Sequence, residues 1–211
     1  MSADLAPLIT AFVTLLVVID PAGLAPLFIA LTQGQDAAAR RRIGLRAVVI
    51  AAAILTAFGL FGDAVLGFAG ISMPAFRIAG GILLFLTALD MLFERRTKRR
   101  EGQTQTGEND PSVFPLAIPL IAGPGAIATM ILLAGQRSGD WGWIATVHAV
   151  MAAALAVTFL SFLLAGPIER LLGPVGTNVV TRILGMLLAA LSVQFVLDGL
   201  AAYGLLAGRP L

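Results

Sequence analysis

Apolar residues run along this chain in stretches of bilayer length, and polar residues gather in the short segments between them. A stretch of roughly 20 apolar residues crosses the hydrocarbon core as a helix. The pattern therefore predicts six spans, at about 5–31, 46–69, 74–93, 113–135, 143–165 and 179–206. Two of the six are interrupted near their centres. The first is broken by Asp20-Pro21-Ala22-Gly23-Leu24-Ala25-Pro26, and the fourth by Gly123-Pro124-Gly125. Proline removes a helical hydrogen bond and clashes with the preceding turn, so these breaks release backbone groups that lipid cannot satisfy. Irregular backbone survives at membrane depth only where protein covers it or where it lines a water-filled cavity. Interrupted segments at matching positions of two halves point to a substrate site between them.

The halves resemble each other beyond their breaks. Arg77-Ile78-Ala79-Gly80 opens the third span and Arg182-Ile183-Leu184-Gly185 opens the sixth, an offset of 105 residues, while Pro21 and Pro124 are offset by 103. Carrying the larger offset onward pairs Leu83 with Leu188 and Thr87 with Ser192. A duplicated unit with an odd number of spans must insert its second copy upside down. The expected fold is thus an all-α integral membrane protein of six transmembrane helices, arranged as two inverted-topology three-helix repeats. Residues 1–100 form the first repeat, 101–112 a polar linker and 113–211 the second repeat, with helices 1 and 4 broken at the midplane.

Composition agrees with this picture: 58% of residues are hydrophobic, 12% are charged, and the mean hydropathy is +0.94. Little is left for a soluble domain. Eleven of the fourteen Lys and Arg residues fall in the segments after spans one, three and five, against Arg77, Arg137 and Arg209 on the other side. The positive-inside rule then puts both termini outside the cytoplasm. The basic balance reflects these loops. No aromatic-interleaved basic surface suggests nucleic acid. No Lys or Arg precedes the first apolar run, so that run is expected to be retained and not cleaved as a signal peptide. The chain has no cysteine, which excludes disulfides, thiolate catalysis and thiolate-bound metals.

The candidate chemistry lies at the breaks. Asp20 before Pro21 reads as an N-cap and first helical residue, and Gly123-Pro124-Gly125 does the same without a carboxylate. Free amides of Ala22, Gly23, Gly125 and Ala126, aided by helix-dipole ends, would favour an anionic group. Carbonyls around Val18, Ile19 and Ala122, with Asp20, would favour an ammonium. A site offering both suits a zwitterion, and walls of Gly, Ala and Pro suit a small one. Asp20 is also the candidate for coupling, since an intramembrane carboxylate is costly; capping a half-helix is the compatible plainer role. Arg77 and Arg182 read as interfacial anchors or as secondary ligands. Thr87, Ser192 and Gln194 could bond a substrate or serve helix packing. His148, the sole histidine, is a candidate proton relay near the outer start of span five. Asp63, Asp90 and Asp198 lie toward span ends.

These residues carry a resemblance. The strings Asp20-Pro21-x-Gly23-x-x-Pro26, Arg77-Ile78-Ala79-Gly80-Gly81, Phe114-Pro-Leu-Ala-Ile-Pro119-Leu-x-Ala-Gly-Pro124, and Arg182-x-x-Gly185 through Phe195-x-x-Asp198-Gly199 resemble the MarC family over the whole chain. That resemblance implies a six-helix inner-membrane protein with inverted repeats, related in fold to LysE-type exporters, and a transport substrate among glycine, alanine and similar amino acids. It departs at Leu24, where many relatives have Asn. The partners implied are a small neutral amino acid, the lipid bilayer, and a proton or sodium ion as coupling ion. No cofactor or metal is expected. The competing class is a passive channel or a structural membrane protein, since broken helices also line pores. An enzyme is not expected, because no intramembrane-protease constellation occurs in the sequence.

Overall fold

The computed structural model describes residues 5–93, 110–137 and 139–204. Among these residues the chain is helix and turn, with no strand. In order, the elements are α1 (Leu5–Ile19), α2 (Pro21–Leu31), α3 (Ala37–Phe68), α4 (Met73–Leu92), an irregular α5 (Ser112–Ile121), α6 (Pro124–Ala134), α7 (Trp141–Leu163) and α8 (Ala165–Ala202). The described residues contain five helices long and apolar enough to cross a membrane, or six if α5 and α6, bent by 55°, count as one span.

Local chemistry sets the ends. Asp36, Ser72 and Asp140 cap α3, α4 and α7, each accepting from a backbone N–H three residues on. The expected second span at 46–69 begins nine residues earlier in the structure, because Ala37–Ala39 and Arg40–Arg42 are strong helix formers that hydropathy overlooks. The sixth likewise starts at Ala165 instead of 179 and turns at Gly173, whose φ of 59° suits glycine, ahead of Pro174. α5 departs most from the expected plain helix. Phe114 and Ile118 adopt extended dihedrals, and each precedes a proline, which disfavours the helical region. The linker residues 102–109 lie outside the described residues.

Burial sorts the helices. In the Leu5–Leu31 run 61% of the core window is buried, against 28–39% for α3, α4, α7 and the Arg170–Ala202 part of α8. α6 is buried along nearly its whole length, from Gly125 to Ala134. The two proline-interrupted segments are therefore the inside of the bundle, and the outer helices expose Phe58, Phe61, Ile82, Phe85, Leu160 and Ile183, as a lipid-facing surface should.

Small residues let the outer helices close in. On α3, Gly44, Ala47, Ala51, Leu55, Gly59, Gly62 and Leu66 recur every three to four residues as one buried stripe. A Cβ at Gly62 would come within 2.7 Å of Ile131 in α6. α4 and α8 form the broadest contact and run antiparallel. A Cβ at Gly81 would meet the Ser192 carbonyl oxygen at 2.8 Å, and one at Gly185 would meet the Ala88 carbonyl oxygen at 3.3 Å. The α6–α7 turn is tied by the Trp143 indole, which donates to the Leu133 carbonyl at 2.8 Å while Arg137 lies over its ring.

Candidate functional site

Asp20 joins α1 to α2 by serving both. Its N–H donates to the Leu16 carbonyl at 2.9 Å, completing α1, while its own carbonyl accepts from the Leu24 N–H at 3.0 Å, beginning α2. Its side chain accepts from the Gly23 N–H at 3.1 Å. To do this it takes φ 59° and ψ 66°, the one positive φ on a non-glycine residue among the described residues. Left-handed backbone costs an ordinary L-residue about 1–2 kcal/mol, and Asp tolerates it because its short side chain bonds locally. Pro21 follows at the first helical position, where no N–H is needed. Pro26 then offers no N–H to the Ala22 carbonyl. Asp20 is fully buried, and so is Leu24.

The second break is built differently. Gly123 is extended (φ −80°, ψ 171°), Pro124 opens α6, and no side chain caps the helix. The Gly125 and Ala126 amides therefore lack the side-chain acceptor that Asp20 gives Gly23. Thr129 donates its hydroxyl to the Gly125 carbonyl at 2.8 Å.

The end of α1 packs against the start of α6. A Cβ on Gly125 would lie 3.2 Å from the Val18 methyl, 3.5 Å from Leu84 and 3.6 Å from the Thr87 hydroxyl. Val18 is two residues from Asp20. The end of α1, two residues before the buried Asp20 carboxylate, thus lies against the start of α6, whose first amides have no side-chain cap. Ser161 of α7 closes the first break from the side, its hydroxyl 3.4 Å from the Pro21 carbonyl.

The structure distributes the sequence candidates unevenly. It puts Thr87 and Val18 against Gly125 of the second break, Val18 being two residues before Asp20 of the first. It also corrects the count of free groups, because the Gly23 amide is occupied by Asp20, and Val18, Ile19 and Asp20 each have a partner. Ser192 is buried at the α4–α8 crossing and donates to Ala189 at 2.7 Å. Gln194 donates to Asp198 at 2.7 Å and lines a cavity of about 270 Å³ near Pro7, Thr10 and Gln136. Arg77 and Arg182 lie toward opposite ends of the antiparallel α4–α8 pair, away from the breaks. His148 sits against Gly59 and Met130, its Nδ1 2.7 Å from the Ile144 carbonyl and its buried Nε2 without a partner. Among the described residues no acidic or histidine cluster could hold a metal ion. Val18, Leu84, Thr129 and Ser161 complete the surroundings; only their position in three dimensions marks them, since an apolar or hydroxyl residue inside a span carries no sequence signal.

A second cavity, of about 440 Å³, lies at the other end of the α1–α2 span, lined by α2, α3, α7 and the start of α8. Asp110, which lies ahead of the spans and leads into α5, pairs with Arg46 of α3. Hydrogen bonds from Ser112, side chain first and then backbone, together with the Arg46 charge, hold the Asp110 carboxyl below the usual carboxylate range, against a smaller opposing effect of burial.

Comparison with known proteins gives one consistent result. The profile described as MarC family integral membrane protein matches residues 5–203. A UPF0056 membrane protein of Archaeoglobus fulgidus is 41% identical over 196 residues, covering 90% of this chain and 91% of the relative. A UPF0056 membrane protein of Methanocaldococcus jannaschii is 37% identical over 200 residues, covering 93% and 97%. The UPF0056 inner membrane protein YhgN of Escherichia coli K12 is 35% identical over 195 residues, covering 92% and 95%. No solved structure matches.

Proposed function

The chain belongs to the MarC family of integral membrane proteins, and from that premise we propose that it is a secondary transporter of small neutral amino acids of the glycine and alanine class. One observation carries the reading: the two proline-interrupted segments are the most buried parts of the bundle, and Gly125 of the second packs against Val18, two residues before Asp20 in the first. A carrier needs a site at the midplane that offers something to each end of a zwitterion. The uncapped amides of Gly125 and Ala126 suit the carboxylate, and the Asp20 carboxylate and the Ala22 carbonyl, to which Pro26 offers no N–H, suit the ammonium. With Val18, Leu84 and Thr87 within contact of Gly125, there is room for a methyl group or none.

Helix packing supports the inverted-repeat arrangement of this carrier. Exchanging the halves turns the contact of α1–α2 with α8 into that of α6 with α4, and the contact of α1 with α7 into that of α6 with α3; all four occur. At the α4–α8 crossing, Gly81 and Gly185 play the same part, the first against Ser192 and Val196, the second against Ala88 and Leu92, each pair offset by 104 residues. That register differs by one from the 105 read from the Arg-Ile motifs. Alternating access would rock the halves about this axis, between the cavities at the two ends of the α1–α2 span. We place the protein in a bacterial cytoplasmic membrane with both termini outside, as the loop arginines and the E. coli relative's description as an inner membrane protein suggest. The test is a binding screen of the twenty amino acids on purified protein. Glycine and alanine should bind, leucine and lysine should not, and Gly125→Val should abolish binding while the protein stays folded. Equal affinity in the variant would move the site elsewhere.

A further inference from the structure

We infer that the cavity of about 440 Å³ is the vestibule through which the carboxylate end of the transported molecule reaches the breaks, and that the stacked rings of Phe28 and Phe162 at its floor are the barrier that opens. The inference rests on the carrier reading above and adds to it a path and a gate. Its volume falls in the range of small-molecule sites, roughly 300–1,000 Å³. Among the described residues, Arg40 and Arg41 are its only charged lining. Among the described residues neither forms an ion pair, and Arg40 donates from Nε to the Thr32 carbonyl at 3.3 Å. An apolar chamber whose described lining carries two guanidiniums and no carboxylate selects an anionic group on a small apolar body. A small amino acid entering carboxylate first fits this; a cation does not.

The floor lies next to the site. Phe28 and Phe162 stack with centroids 4.4 Å apart and planes 9° from parallel, both buried. Ser161, beside Phe162, contacts the Pro21 carbonyl. The ring pair therefore bridges α2, which carries the first break, and α7, which braces it, so that separating these helices must part the rings. Gly44 of α3 leaves the space for that movement. A Cβ there would touch both rings at ordinary contact distance, 3.4 Å from Phe162 and 3.5 Å from Phe28.

The absence of cysteine makes the test direct. Two single-cysteine reporters are used in oriented vesicles, with membrane-impermeant methanethiosulfonates applied from the arginine face. Gly166→Cys reports inside the cavity, where an added Cβ meets nothing within 4 Å, and Ala22→Cys reports beyond the rings. The sulfonate reagent should label Gly166→Cys several-fold faster than the trimethylammonium reagent, and Arg40→Gln with Arg41→Gln should remove the preference. Ala22→Cys should label at least tenfold faster when Phe162 is changed to Ala, less so with Phe162→Leu, and more slowly than in the parent when Gly44→Ala wedges the rings. Unchanged Gly166→Cys labelling in the Phe162 variants checks that the fold is intact. Ala22→Cys rates that ignore all three substitutions, or a charge preference that survives loss of both arginines, would overturn the proposal. Labelling requires no substrate, so these failures are distinct from a failure of the carrier reading, which substrate binding and exchange decide.

Discussion

Replacing Asp20 separates its structural role from any role in coupling. The structure gives it two local tasks, accepting from the Gly23 amide and holding a left-handed backbone between two helices. Asp20→Asn keeps both, because Asn caps about as well as Asp and tolerates the same dihedrals. Asp20→Ala loses the cap, at about 1 kcal/mol, and puts an ordinary residue in the left-handed region at about 1–2 kcal/mol more. Asp20→Gly loses only a few tenths of a kcal/mol as a cap and relieves the backbone. Thermal unfolding in detergent should rank parent, Asn and Gly together, with Ala lower by roughly 4–12 °C for a chain of this size. An Ala variant as stable as Asn would refute the capping argument. With stability matched, uptake into proteoliposomes with and without an imposed pH gradient then reads the carboxylate alone. Coupling through Asp20 predicts that Asp20→Asn keeps exchange and loses gradient-driven accumulation, and an unchanged gradient response would reduce Asp20 to a structural residue.

Three further outcomes follow from the same geometry. Gly125→Ala places a methyl 3.2 Å from Val18, so the protein should fold and keep glycine binding while losing alanine affinity at least tenfold by equilibrium dialysis. Gly81→Ala drives a Cβ to 2.8 Å from the Ser192 carbonyl oxygen, backbone that cannot yield, whereas Gly185→Ala meets nothing nearer than 3.0 Å; unfolding should show the first costing about 1–3 kcal/mol and the second less. Because the folded state depresses the Asp110 pKa, its contribution is present above the ordinary carboxylate value and lost as pH falls through the depressed one. Ser112→Ala, which removes the largest cause of that depression, should therefore lower the unfolding temperature on the neutral side, leave the acid end nearly unchanged, and so flatten the limb between them.

Much of this arrangement was legible in the sequence because membrane physics writes it there. The helical spans follow from apolar run length, five of them or six with α5 and α6 taken as one, and the helix starts at Pro21 and Pro124 follow from what proline does to a helix. The capping role of Asp20 could be read because a cap acts over three residues. Other features could not be read locally. Nothing in the string Ser192-Val193-Gln194 distinguishes a buried serine at a helix crossing from a glutamine facing a cavity, since that depends on helix rotation. The released carbonyls expected at Val18 and Ile19 assumed a wide break, whereas Asp20 spans it alone through a left-handed turn. Hydropathy alone missed the helical start at Ala37, because arginines lengthen a helix without adding apolar character. The Phe28–Phe162 stack joins residues more than a hundred positions apart, and neither phenylalanine stands out among the twelve in the chain.

Counterflow in proteoliposomes tests the central claim most directly. Vesicles holding the purified protein are loaded with excess unlabelled alanine and diluted into a trace of labelled alanine, with Gly125→Val as the control. The carrier account predicts a transient accumulation of label above its equilibrium level, absent in the control. Label that only rises to equilibrium, at a rate indifferent to the internal alanine, would contradict it and leave a pore.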